Sequence, residues 1–309
     1  MDTFTRIRVT VRNFITEHRV WLERALRLVL SFITLNGIRQ YYNYSTRLDS
    51  ILIILVLSVI CAFLSYGSMA LLVTLYLLGE IFSLSLQGGL IITGILLIMY
   101  AFCRIFIAKQ YFHIPGLNVF YQMHLTFLLP TEAALFGESS EVIPLIGGTT
   151  VAFYLKQLRD NAAALTDGSD TVTPLSLLVN GVLQNQLFTL YLISVIVLFV
   201  TILVVRKMPI RYAGILSVVF GILLEFIIML SGYLMLDSRD RIPMLVTCNL
   251  VSLVVGVVSS YLIMDLDYSS VEKVKFEDDD YTYYVMAVPK IKVASDQKEV
   301  KKITHRSAK

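Results

Sequence analysis

Charge is what this chain has least of. Residues 51–79 contain no Asp, Glu, Lys, Arg or His, and across 309 residues only 16% are charged against 56% hydrophobic. Soluble domains carry roughly 25% charged residues. With a mean hydropathy of +0.72 the composition is that of a membrane protein. Bilayer hydrocarbon is about 30 Å thick, so a spanning helix needs roughly 20 apolar residues; this chain supplies that several times over.

Cysteine is scarce too. Cys61, Cys103 and Cys248 all lie in apolar stretches. Their spacing suits neither a metal centre nor a disulfide framework, which makes them buried thiols. The net charge of +3 is too small to point to nucleic acid, and no basic patch is interleaved with aromatics. A cleavable leader is not expected, because the arginine-rich N-terminus opens no apolar run before Leu28.

Catalytic motifs are missing: there is no P-loop, GxGxxG, GxSxG, kinase set or HExxH. His113 and His124 have no Cys, Asp or Glu at metal spacing beside them. The expectation is a non-enzymatic protein without metal or cofactor. An enzyme acting on lipid is the weakest reading, kept because the polar loop at 156–173 has room for unrecognised residues.

What is present divides into three parts. Residues 1–49 hold eight arginines, no lysine and four acids. They read as a basic amphipathic segment, with a possible first membrane helix at 20–38 and interfacial tyrosines at Tyr41, Tyr42 and Tyr44. Residues 50–264 read as an all-α polytopic bundle of seven or eight helices. SYGS (65–68) and QGG (87–89) punctuate it as turns, giving helices at about 50–65, 69–86 and 90–108. Two segments, 116–129 and 142–155, are short for a crossing. The first stops at Pro130; the second is broken by Pro144, Gly147 and Gly148. Helices follow at about 174–205, 210–236 and 243–264, each with a proline (Pro174, Pro209, Pro243) near its start.

Lysine and arginine in short loops set the orientation. Arg104, Lys109, Arg206, Lys207 and Arg211 mark the inside, and the loop at 237–242 falls outside. The tail from Asp265 is then cytoplasmic in a cell membrane. If residues 21–38 span, the chain crosses eight times with both ends inside; if they lie flat, seven crossings put the N-terminus outside. The N-terminal arginines favour eight.

Two kinds of residue carry functional expectations. Glu225 sits mid-helix in GILLEFIIMLSG, and Glu80 lies in LLGEIFSL. Carboxylates in hydrocarbon face a bundle interior and mark pathways, or else join helices by hydrogen bonds. Arg104 is a possible partner for either. Asn180 and Gln184, four apart, share a helix face, as interhelical glue or as a polar path. The IPLIGG break at 142–150 has the form of a discontinuous transporter helix.

The tail is the second kind. Residues 265–309 carry nine bases and nine acids, so this is not a polybasic lipid-binding tail. VEKVKF and YTYYVMAV favour strands, giving a hairpin over 271–288 (271–276 with 281–288) and a disordered end. A lone hairpin is marginal in water, so Phe276, Asp278, Asp279, Asp280, Tyr281, Tyr283 and Tyr284 become candidates for binding a cytoplasmic protein through 271–293. The stretch LDYSSVEKVKFEDDDYTYYVMAVPKIKV, directly after a final membrane helix, resembles the ending of a family of polytopic membrane proteins of clostridia and related Firmicutes. That family carries no assigned activity. The resemblance implies a bacterial plasma membrane and carries over no catalytic residue.

Two functions remain in view. The first is a membrane adaptor whose tail binds a soluble partner. The second is a secondary transporter or channel using Glu225 and the break at 142–150. Oligomeric state is left open.

Overall fold

The computed structural model describes residues 10–11, 13–166, 173–210, 212–263, 272–277 and 282–287. It is an all-α bundle with one small hairpin. In chain order the helices are α1 (Arg19–Tyr42), α2 (Ile51–Phe63), α3 (Tyr66–Leu84), α4 (Leu86–Ile105), α5 (His113–Gln122), α6 (Leu128–Phe136), α7 (Val142–Asp160), α8 (Ala162–Thr166), α9 (Pro174–Leu178), α10 (Gln186–Val205), α11 (Ala213–Met235) and α12 (Ile242–Ile263). Five are long and apolar enough to cross a membrane by length and composition: α3, α4, α10, α11 and α12, the last with the 3₁₀ turn that precedes it. Their outward faces stay apolar, as at Leu75, Leu97 and Val254, where a soluble protein would place charge. This is compatible with a multi-pass membrane protein.

Small polar residues start the helices. The Ser65 side chain accepts from the Ser68 amide at 3.3 Å to begin α3, and that of Ser85 accepts from the Gly88 amide at 3.2 Å to begin α4. The breaks thus fall at 64–65 and at 85, at or just before the expected SYGS and QGG turns: Tyr66, Gly67 and Ser68 already belong to the first turn of α3, and Gly88 and Gly89 lie inside the first turn of α4, against Leu158 and Phe82.

Two expected breaks are also corrected. Helix α7 runs unbroken from 142 to 160, straight through Pro144, Gly147 and Gly148. Pro115, Pro130 and Pro144 are each the third residue of α5, α6 and α7. The first four amides of a helix have no intrahelical partner, so a proline there removes nothing. Pro130 thus belongs to the start of α6 and does not stop a 116–129 helix. Conversely, the expected 174–205 helix is interrupted. After α9 comes a π-helical turn, Val179–Leu183, and α10 restarts on Asn185, whose side chain accepts from the Leu187 amide at 2.9 Å. Pro209 lies in the connection before α11, outside its first turn.

Helices α1–α4 pack as one group and α10–α12 as another, with α5, α6 and α7 between them. Helix α1 packs lengthwise in the first group. Near its start, Arg27 donates to the Leu64 carbonyl and lies over the Tyr66 ring, 5.3 Å from its centroid. At its far end, Tyr42 donates to Asn118 Oδ1 at 2.7 Å.

Strands β1 (Glu272–Glu277) and β2 (Thr282–Ala287) pair antiparallel, Phe276 opposite Tyr283 and Lys275 opposite Tyr284. The hairpin forms within a residue of the expected bounds. Asp278, Asp279, Asp280 and Tyr281, like Arg211, Asp265 and the C-terminal end, lie outside the described residues.

Candidate functional site

Helices α5 and α6 are half-length elements of 10 and 9 residues, about 15 and 14 Å at 1.5 Å per residue. They form a hairpin that enters and leaves the bundle at one end. At that end the Glu141 carboxylate accepts from the Lys109 and Gln110 amides at 2.8 and 3.1 Å, and Lys109 pairs with Glu138 at 2.5 Å. Arg206, at the end of α10, donates to the carbonyls of Leu135 and Gly137.

The tip of the hairpin lies at the other end of α10. There Tyr191 meets the rings of Tyr121 and Phe127, with centroids 5.5 and 6.0 Å away. Every residue of α5 is buried. Its close fit to α7 depends on Gly148, where a Cβ would stand 2.5 Å from the His113 carbonyl oxygen. Helix α5 closes with the Leu125 amide donating to the Phe120 carbonyl at 2.8 Å, which leaves His124 in the left-handed region at φ 61.

The tip borders a cavity of about 280 Å³. Tyr121, Phe127, Tyr191 and Tyr233 give it aromatic walls, and Lys156, Arg159 and Arg241 bring charge to it. Tyr191 and Tyr233 share a 2.5 Å hydrogen bond between their hydroxyls. Arg159 is held in place by a relay across three helices. It donates to Gln122 Oε1 at 2.5 Å, Gln122 donates to the Tyr42 hydroxyl at 3.5 Å, and Tyr42 donates to Asn118. Arg159 also pairs with Asp160 at 3.2 Å. Lys156 sits 5.7 Å from the Tyr121 ring centroid. Partial burial first, then the cations Lys156 and Arg159, holds His124 below its ordinary value.

Cys248 lines the same cavity, and its chain neighbour Asn249 faces Glu225. Glu225 is fully buried on α11. The Asn249 amide is its hydrogen-bonding neighbour, and no cation lies within 4.0 Å of its carboxylate among the described residues. A buried carboxylate that faces only a neutral amide calls for a reason.

The other sequence candidates scatter. Glu80 is buried but belongs to a connection: its Oε2 accepts from the Tyr44 and Ser45 amides at 2.8 and 3.0 Å, tying the α1–α2 loop to α3. Arg104 pairs with neither glutamate and is exposed at the end of α4. Asn180 and Gln184 are exposed at the π-helical turn, and face no bundle interior. Lys156, Arg159 and Arg241 were not singled out from sequence. Each sits near a helix end, where a base reads as an ordinary interfacial residue; only the fold brings the three together. No protein-family model matches the chain, and no curated protein or solved structure matches it significantly.

Proposed function

We propose that this is a non-enzymatic, multi-pass membrane transport protein of a bacterial plasma membrane, crossing eight times with both ends in the cytoplasm. The path of the chain supports that count. Helices α1, α2, α3, α4, α7, α10, α11 and α12 alternate in direction, while α5 and α6 return to the end they came from. The basic connections at Lys109 and Lys207 fall at one end of the bundle, as a positive-inside arrangement requires.

One observation carries the transport reading: a hairpin of half-length helices ends at a polar cavity near the buried Glu225, which faces the neutral Asn249 amide and no cation. Non-helical backbone at membrane depth is tolerated where it is buried in protein or lines a water-filled space. A carboxylate in such an interior without a counter-charge is costly as an anion. Its charge must be neutralised by a proton or a cation, which makes it a coupling site for a secondary transporter. The discontinuous element is the hairpin at 113–136; the segment at 142–150 is not part of it.

The test is charge movement in proteoliposomes on a solid-supported membrane. A pH step should drive a current in the wild type. Glu225→Gln should abolish it at unchanged melting temperature, and truncation after Tyr268 should leave it intact. A current indifferent to Glu225→Gln would end this reading.

A second reading, the adaptor, is favoured by the hairpin. Tyr283 and Val285, two apart on β2 and so on one face, are 40% and 43% exposed. It requires the opposite outcome: loss of function on truncation and none with Glu225→Gln.

A further inference from the structure

The cavity itself has a chemistry that the transport reading does not need. Three cations approach it, and among the described residues neither Lys156 nor Arg241 has an ion-pair partner within 4.0 Å. Asp160, bound to Arg159, and Asp240, on the cavity rim, are the opposing carboxylates. Three positive groups against two negative ones leave a single positive charge. Uncompensated cations beside a half-buried surface are costly to hold there. They are expected where an anion completes them.

The walls restrict the rest of the ligand. Tyr121 and Tyr191 keep 9% and 8% of their surface open, while Phe127 and Tyr233 are buried behind them at 1%, so the inner surface is the accessible part of two rings backed by two others. The Tyr191–Tyr233 hydrogen bond uses one of the two hydroxyl protons, and the other remains free to be donated to a ligand oxygen. A volume of about 280 Å³ admits a small molecule. The lining also includes the polar His124 and Thr126 of the hairpin and Asp240 of the α11–α12 connection, groups that suit a water-soluble ligand better than a lipid chain.

We propose that this cavity binds a small monocarboxylate with a flat apolar body, its carboxylate between Lys156, Arg159 and Arg241 and its body against the tyrosine walls. Arg159, fixed by Gln122, would orient the carboxylate, while Lys156 and Arg241 supply the free charge. The proposal deepens the transport reading but can fail separately from it, because binding needs no membrane.

The experiment is isothermal titration of the full-length protein in mild detergent. Benzoate is the probe, with benzamide as its neutral isostere and benzylamine as its cationic counterpart. Benzoate should bind, and the other two should bind at least tenfold more weakly. Charge-assisted hydrogen bonds make each lost cation worth roughly 10- to 100-fold. Lys156→Gln and Arg241→Gln should each weaken benzoate by that factor. Arg239→Gln, in the same connection but not lining the cavity, should bind as the wild type does. Absence of benzoate binding at millimolar concentration, or equal binding of benzamide, overturns the proposal without any variant having to fold. Unchanged affinity in both charge variants overturns it as well. Benzoate binding without a pH-driven current would leave the site standing and sink transport; the reverse would sink the site alone.

Discussion

Glu80 and Glu225 are the same residue type, both buried in apolar helices, and the structure gives them opposite work. One oxygen of Glu80 holds two backbone amides of the α1–α2 connection. Removing it leaves buried donors unmatched, at roughly 1–3 kcal/mol for each group. Glu80→Ala should therefore lower stability by about 2 kcal/mol or more, read as an earlier thermal transition in detergent. Glu225 holds no backbone amide and faces only the Asn249 side chain, so an isosteric amide there should leave the transition in place. Sequence alone could rank both as candidates for a pathway. It could not separate them, because the groups that satisfy Glu80 lie 35 and 36 residues away in a loop.

At the level of elements, glycine and proline were misread in a consistent way. Both were taken as punctuation within 142–150. The glycines there are contact points and the proline is a first-turn residue. Gly148→Ala should press a methyl group into the His113 carbonyl and destabilise by about 2 kcal/mol through overpacking. Pro144→Ala should change stability by less than about 1 kcal/mol. Comparing the two melting curves checks which residue matters to the helix pair. Strain is stored instead where no glycine is found. Ile107 closes α4 at φ 56, with the Ala108 amide donating to the Cys103 carbonyl at 3.0 Å. A β-branched residue in that region is an outlier. Ile107→Gly should raise stability by about 1 kcal/mol, since the left-handed region costs an L-residue roughly 1–2 kcal/mol; an unchanged or lower melting temperature would count against it.

On the scale of the whole molecule, the alternation of helix directions makes a topological prediction. Reporters fused after residues 49, 88, 165 and 240 should all report the outside, and one at the C-terminus should report the cytoplasm. A single inside signal among the four would require redrawing the path. Much of this frame follows from the sequence by itself. Length and charge-free runs are set by bilayer thickness, so the long apolar helices and the class of protein can be read from composition, and turn residues and strand-forming side chains place most of the long helices and the hairpin within a few residues. Such features are local, and each is decided by residues adjacent in the chain. The half-length hairpin, the joining of Lys156, Arg159 and Arg241 at one cavity, and the isolation of Glu225 from any cation were decided only by the tertiary structure. Each depends on which faces of distant helices meet, and apolar faces that are chemically alike carry no record in the sequence of which neighbour they pack against.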